Sequence, residues 1–252
     1  MRLRQFVFVA EKLAPAEEEI SSVLGLEVCY RDPNVAEFGL ENALFAIGGN
    51  FLEIVAPMQE GTAAGRYLQR RGGNGGYMVI LQCEDALPHR QRINASGIRD
   101  VWRHDGPEAF ATHFHPADTG GAILSIDSMA SSTDYREEMT SWEWAGPAWR
   151  DHVKTDVSSA LLGLELQAED PAALAQIWSG VLDQPLKSAG IELDNARLDF
   201  IEAKDGRGPG VGGLLIKAAN EAAVMAEANR RGLQTGDNSF DLCGVRTSLV
   251  QV

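Results

Sequence analysis

The 252-residue chain carries 22 lysines and arginines against 36 aspartates and glutamates, a formal charge of −14. Hydrophobic residues make up 44% and charged residues 23%, a balance that supports one large core or two ordinary ones and excludes a disordered chain. So strong an acidic excess repels phosphate backbones and anionic bilayers, which removes nucleic acid and membrane surfaces from the expected partners.

The predicted elements begin with a compact β-type run, Gln5 to Val9. Pro15 then opens a helix from Ala16 to Leu24, closed by Gly25. Strand-like stretches follow over Leu26 to Tyr30, Val35 to Ile47 and Phe51 to Val55, with Gly48-Gly-Asn50 as a tight turn. The same order of strand, helix and three strands returns from Tyr77. A strand covers Tyr77 to Cys83, a helix Ala86 to Ala95, and a strand Ile98 to His104, followed by a hairpin of Phe110 to His115 and Ala122 to Asp127. A third copy starts with a strand at Leu161 to Gln167, a helix at Pro171 to Leu182 and strands through Ile191 to Glu202. A fourth has Gly213 to Lys217, a helix Glu221 to Arg231 capped by Gly232, and a last strand Cys243 to Gln251. The reading is an α+β chain of four βαβββ modules, and a repeat of this kind outweighs any single motif.

Residues 1–129 and 157–252 therefore read as two domains joined by a connector, 130–156. The connector holds Trp142, Trp144 and Trp149. Three indoles have too much apolar area to leave in water, so it is expected to pack over the seam between the domains or over a pocket mouth. Cys29, Cys83 and Cys243 are odd in number, lack Cys-x-x-Cys spacing and sit in apolar stretches, which fits reduced buried thiols. The N-terminus lacks a secretory h-region and no run is long and apolar enough to span a bilayer, so the expectation is cytoplasmic.

Two motifs carry a family resemblance. Phe51-Leu-Glu-Ile-Val-Ala-Pro57 resembles the strand ending Glu-Leu-x-x-Pro of the vicinal oxygen chelate superfamily, and His115-Pro-Ala-Asp-Thr-Gly-Gly121 resembles its closing hairpin. That superfamily includes glyoxalases, methylmalonyl-CoA epimerases, extradiol dioxygenases and bleomycin resistance proteins. The resemblance implies that each pair of modules forms an open, U-shaped barrel with a cupped site, giving two tandem barrels, the second a degenerate copy. It also implies a divalent metal held at positions that fall here on Gln5, Glu53, Met78 and Ser125. A thioether and a neutral hydroxyl replace the expected imidazole and carboxylate, so no metal or other cofactor is expected there. The corresponding C-terminal positions, near Gly163, Asp199, Leu215 and Ser248, are poorer still.

Strand alternation, anchored on Ser125 facing the cup, turns Asp127, His113, His115, Gln5, Glu53 and Gln82 inward. His113, His115, Glu53 and Asp127 are the candidate catalytic set. Gln5, Gln82, Ser125, Trp102, Trp142 and Trp144 are the candidate substrate contacts. Histidine beside carboxylates can move protons at neutral pH, which suits lyase or isomerase chemistry on a small carbonyl-type molecule. The competing structural reading has His115 fastening the hairpin before Pro116 and His113 as a satisfied strand residue. Two rival functions stand beside turnover: sequestration of a drug or metabolite, as in bleomycin resistance proteins, and a metal-dependent lyase, isomerase or dioxygenase with substituted ligands. A homodimer is the open alternative to a monomer. Arg66, Arg70 and Arg71 read as a solvated helix face, and Gly72-Gly-Asn-Gly-Gly76 as a turn or hinge between modules.

Overall fold

The structure is a computed structural model that describes residues 1–250. Its first half is a single open sheet built from two βαβββ modules. Module one comprises β1 (Arg2–Val9), α1 (Leu13–Leu24), β2 (Val28–Tyr30), β3 (Leu40–Ile47) and β4 (Asn50–Pro57). After α2 (Ala63–Arg71), module two comprises β5 (Gly75–Gln82), α3 (Ala86–Ala95), β6 (Asp100–Asp105), β7 (Ala109–Phe114) and β8 (Ile123–Met129). The eight strands run β2-β3-β4-β1-β5-β8-β7-β6, with the modules joined along the antiparallel pair β1 and β5.

The second half holds β9 (Ser158–Ala168), α4 (Pro171–Leu182), β10 (Gly190–Glu192) and β11 (Arg197–Glu202). It continues with β12 (Gly210–Ala218), α5 (Glu221–Arg230), β13 (Ser239–Leu242) and β14 (Val245–Leu249). Its six strands run β10-β11-β9-β12-β14-β13. Both halves are thus open sheets of repeated modules, and the C-terminal modules keep two strands after each helix instead of three. The expected last strand, Cys243 to Gln251, is broken at Cys243 and Gly244, both at positive φ, into the turn between β13 and β14. Gln251 lies outside the described residues.

Local chemistry explains where other expectations shift. Val35 to Ile47 is not one strand: Pro33–Phe38 forms a 3-10 turn, because the Asp32 side chain accepts from the Asn34 N–H and Gly39 ends the turn at φ 70°. Gly25 closes α1 at φ 66°, as its placement predicts. Gly72 closes α2, while Gly75 and Gly76 belong to β5. The glycine at 76 has a packing reason, since a Cβ there would lie 2.8 Å from Val211 and 2.9 Å from Phe6.

Alternation divides the first sheet into two working faces. Phe6, Phe8, Leu52, Ile54, Val79, Leu81, Leu124 and Ile126 point to the convex face, which carries α1 and α3 and shares one continuous core with the C-terminal half. The C-terminal half therefore covers apolar surface of the first. Arg71 is buried at that seam and donates to the carbonyls of Arg207, Gly208 and Pro209, so this member of the basic cluster is no solvated face. Arg207 returns hydrogen bonds to the carbonyls of Arg71 and Gly244.

Val7, Phe51, Val55, Met78 and Ile80 point to the concave face. The connector folds back into one end of that cup and buries Trp142 and Trp149 against Phe51. Each indole hides on the order of 200 Å², worth about 5 kcal/mol at most, which explains why this long segment is ordered. Arg4 sits fully buried within 5.5 Å of the Phe51, Trp142 and Trp149 ring centroids, and donates to the carbonyls of Gly49, Glu138 and Thr140. Burial lowers its pKa to about 8.

Candidate functional site

The part of the cup that the connector leaves open is a cavity of about 480 Å³ in the N-terminal half. Gln5, Glu53, Met78, Trp102, His113, Asp127 and Trp144 all line it. Its walls come from both modules: β1, β3 and β4 on one side, β5, β6, β7 and β8 on the other, with the 3-10 turn above. Across the mouth the Trp102 Nε1 donates to Glu37 Oε1 at 3.1 Å, and Trp102 meets Phe38 edge to face. That contact ties the two outer edges of the U together.

Glu53 is the best-defined polar group. Its Oε2 accepts from Gln5 Nε2 at 2.7 Å and its Oε1 from Asn42 Nδ2 at 2.6 Å. Neither amide can turn over. Trp142 Nε1, which can only donate, gives its hydrogen to Gln5 Oε1 at 2.8 Å, and the Asp32 backbone N–H does the same to Asn42 Oδ1 at 2.9 Å. The connector tryptophan and the turn backbone thus fix two N–H donors on one carboxyl group. The group is 7% exposed and no cation among the described residues touches it, so desolvation outweighs the amide hydrogen bonds and raises its pKa to about 7.

Asp127 is the second carboxyl. Its Oδ1 accepts from Ser125 Oγ at 2.5 Å and its Oδ2 from Trp144 Nε1 at 2.8 Å. Burial again outweighs these donors and raises its pKa to about 7. Glu53 and Asp127 lie on β4 and β8, three strand spacings apart and offset along the strands, since the register carries Glu53 through Val7 and Met78 to Ile123 rather than to Asp127.

His113 reaches the cavity from β7 and packs on Trp102 with ring centroids 4.5 Å apart. Its ring forms no hydrogen bond to another described residue, although its backbone is paired in the sheet. Burial lowers its pKa to about 4, so it is a neutral imidazole at pH 7.

Other expected residues fall elsewhere. His115 does not line the cavity: β7 ends at Phe114, the chain turns, and His115 Nδ1 accepts from the Ala117 N–H. It fastens the hairpin. Gln82 has the expected parity but lies beneath the connector, donating to the Ser141 carbonyl. Ser125 and Trp142 are fully buried behind the wall, acting on Asp127 and Gln5 rather than on the cavity. Asn42 and His104, both on the wall, were not among the expected residues. Asn42 is a polar residue inside the apolar run Leu40 to Ile47, and His104 shares its face with Trp102; either pattern marks an inward residue.

The donors at the superfamily's metal positions do not suit a metal ion. Gln5 Oε1 is taken by an indole N–H, both Glu53 oxygens are taken by amides, the Ser125 hydroxyl hydrogen points at Asp127, and Met78 offers a thioether. No group of three or more His, Cys, Asp or Glu side chains suited to a metal occurs among the described residues.

Two βαβββ modules sharing one open sheet around a cup define a protein of the vicinal oxygen chelate superfamily. The model of the glyoxalase-like domain matches residues 6–182, and the chain belongs to that family. Ethylmalonyl-CoA/methylmalonyl-CoA epimerase of Cereibacter sphaeroides is 22% identical over 135 residues, covering 51% of this chain and 98% of the epimerase. Among solved structures, a variant of Streptomyces coelicolor methylmalonyl-CoA epimerase in complex with 2-nitronate-propionyl-CoA is 22% identical at TM-score 0.46, covering 52% of this chain and 98% of the other. A mutant of 4-hydroxymandelate synthase from Streptomyces coelicolor matches both halves, with TM-score 0.68, 14% identity, 93% of this chain and 76% of the other covered. At that identity the likeness is one of fold.

Proposed function

We propose that this protein binds a small organic molecule in the N-terminal cup and transforms it by proton transfer, with Glu53 and Asp127 as the acid/base pair. One observation carries the reading: two buried carboxyl groups, each titrating near 7, line one cavity with no cationic partner on either among the described residues. A carboxyl poised near the working pH serves as base when ionised and as acid when protonated. Two such groups on opposite arms of the cup suit removal of a proton beside a carbonyl at one face and its return at another, which is isomerase or lyase chemistry. Neutral His113 would hold the substrate by a hydrogen bond. Gln5, Asn42, Ser125 and Trp144 act through the carboxyl groups as positioning residues.

The test is solvent exchange. A panel of small ketones, aldehydes and thioesters is incubated with the protein in D2O and deuterium at the carbon next to the carbonyl is followed by NMR. Wild type should label at least one compound, and Glu53→Gln or Asp127→Asn should slow the labelling by about 100-fold or more. Labelling at the wild-type rate by both variants overturns the assignment. Tight retention of a compound without exchange favours sequestration, for which the aromatic wall of Trp102, Trp144, Phe38 and Tyr77 is already suited.

A further inference from the structure

The charge inventory of the cavity selects among ligands, given the reading of the cup as a ligand site. Four carboxyl groups line it: Asp32 and Glu37 from the 3-10 turn, Glu53 from β4 and Asp127 from β8. Among the described residues no lysine or arginine lines it. On α2, Arg66 bonds the Gly61 carbonyl and Arg70 lies over the Tyr67 ring, both near the wall residue Tyr77, and the arginines on the other neighbouring elements are committed elsewhere. Arg4 is bound to three carbonyls beneath the connector, Arg31 to Glu17, Arg90 to Asp105 and Thr112, and Arg103 to Asp100.

The rest of the wall is aromatic. Trp102 and Trp144 have their N–H edges tied to Glu37 and Asp127, so each indole is held in place by a carboxyl group of the same cavity. An anion entering this space would lose its hydration and meet no counter-charge, which is the costly case for a buried ion. A cation would gain both the carboxylates, at short range in a poorly screened site, and the negative faces of the rings.

We propose that the cup takes an organic cation, an amine or ammonium group on a body small enough for about 480 Å³, and rejects carboxylates and phosphate-bearing esters. The remaining titratable groups on the wall are Tyr77, His104 and His113.

The experiment compares three probes of one shape, 2-phenylethylamine, 2-phenylethanol and 3-phenylpropanoate, with propionyl-CoA as a phosphate-bearing fourth. Binding is read by isothermal titration and by tryptophan fluorescence. The amine should bind at least tenfold tighter than the carboxylate, and Asp127→Asn should narrow that preference. Equal affinity for the three small probes, a lead for the carboxylate or propionyl-CoA, or no detectable amine binding overturns the proposal. If the alcohol binds wild type and the amine gains nothing, the charge preference has failed and the cup reading stands. If none of the four binds, and solvent exchange is the same in wild type, Glu53→Gln and Asp127→Asn, the cup reading itself has failed.

Discussion

Glu53→Gln should change the pH dependence of stability, and the sign follows from burial. The carboxyl pKa is about 7 in the folded chain against an ordinary 4.5. A carboxyl raised on folding contributes stability that is complete below pH 4.5 and is lost as pH climbs through 7, because the unfolded chain then gives up the proton first. The full shift corresponds to about 3 kcal/mol, of which about 2–3 kcal/mol falls between pH 5 and pH 8. Asp127 runs in the same direction, its pKa raised from 3.8 to about 7. His113 runs against them: its pKa is lowered from 6.5 to about 4, so its contribution is present above 6.5 and lost as pH falls through 4. Wild-type stability alone mixes the three, and the difference between wild type and Glu53→Gln isolates one. The substitution also places one amide N–H against an N–H of Gln5 or Asn42 whose orientation is locked, a pH-independent cost of about 1–3 kcal/mol. Urea unfolding from pH 5 to pH 8 should therefore show the variant less stable at pH 5, with the gap shrinking or reversing by about 2–3 kcal/mol at pH 8, or about 5–10 °C in Tm. Parallel wild-type and variant curves across that range would refute the claim that Glu53 is buried and protonated near neutrality.

His113→Ala should weaken ligand binding in the cup by about tenfold or more, whereas His115→Ala should leave binding within twofold and lower stability only slightly, since its ring bonds the hairpin backbone outside the cavity; titration of both variants separates the roles. Arg4→Met strands the Gly49, Glu138 and Thr140 carbonyls without their donor and should cost about 2–4 kcal/mol, seen as a lower urea midpoint and faster proteolysis within the connector. Gly121→Ala would set a Cβ 2.3 Å from the Pro209 carbonyl oxygen at a φ of 100°, forcing the two halves apart at a cost of about 2–3 kcal/mol or more; a thermal midpoint within 1 °C of wild type would show that the seam is looser than the packing indicates.

The sequence by itself determined the elements and the polarity of the strands. The helices Ala86–Ala95 and Pro171–Leu182 form where the sequence places them, and the Asp85 and Asp170 side chains cap free N–H groups at their starts. Alternation places Gln5, Glu53, His113 and Asp127 on the cavity because side-chain direction repeats every two residues once a strand is recognised. The same rule fails at His115, where the strand ends one residue early, and at Gln82, where an inward residue is covered by a segment more than fifty positions away. Tertiary structure alone decided what those inward groups experience. The connector carries Trp142 to Gln5 and Trp144 to Asp127 across more than a dozen residues of intervening chain. It also buries Arg4 and shuts out the solvent that would hold the carboxyl groups near their ordinary pKa. Direction along a strand is a local property of the backbone; desolvation depends on which distant atoms arrive to displace water, and no spacing in the chain encodes it directly.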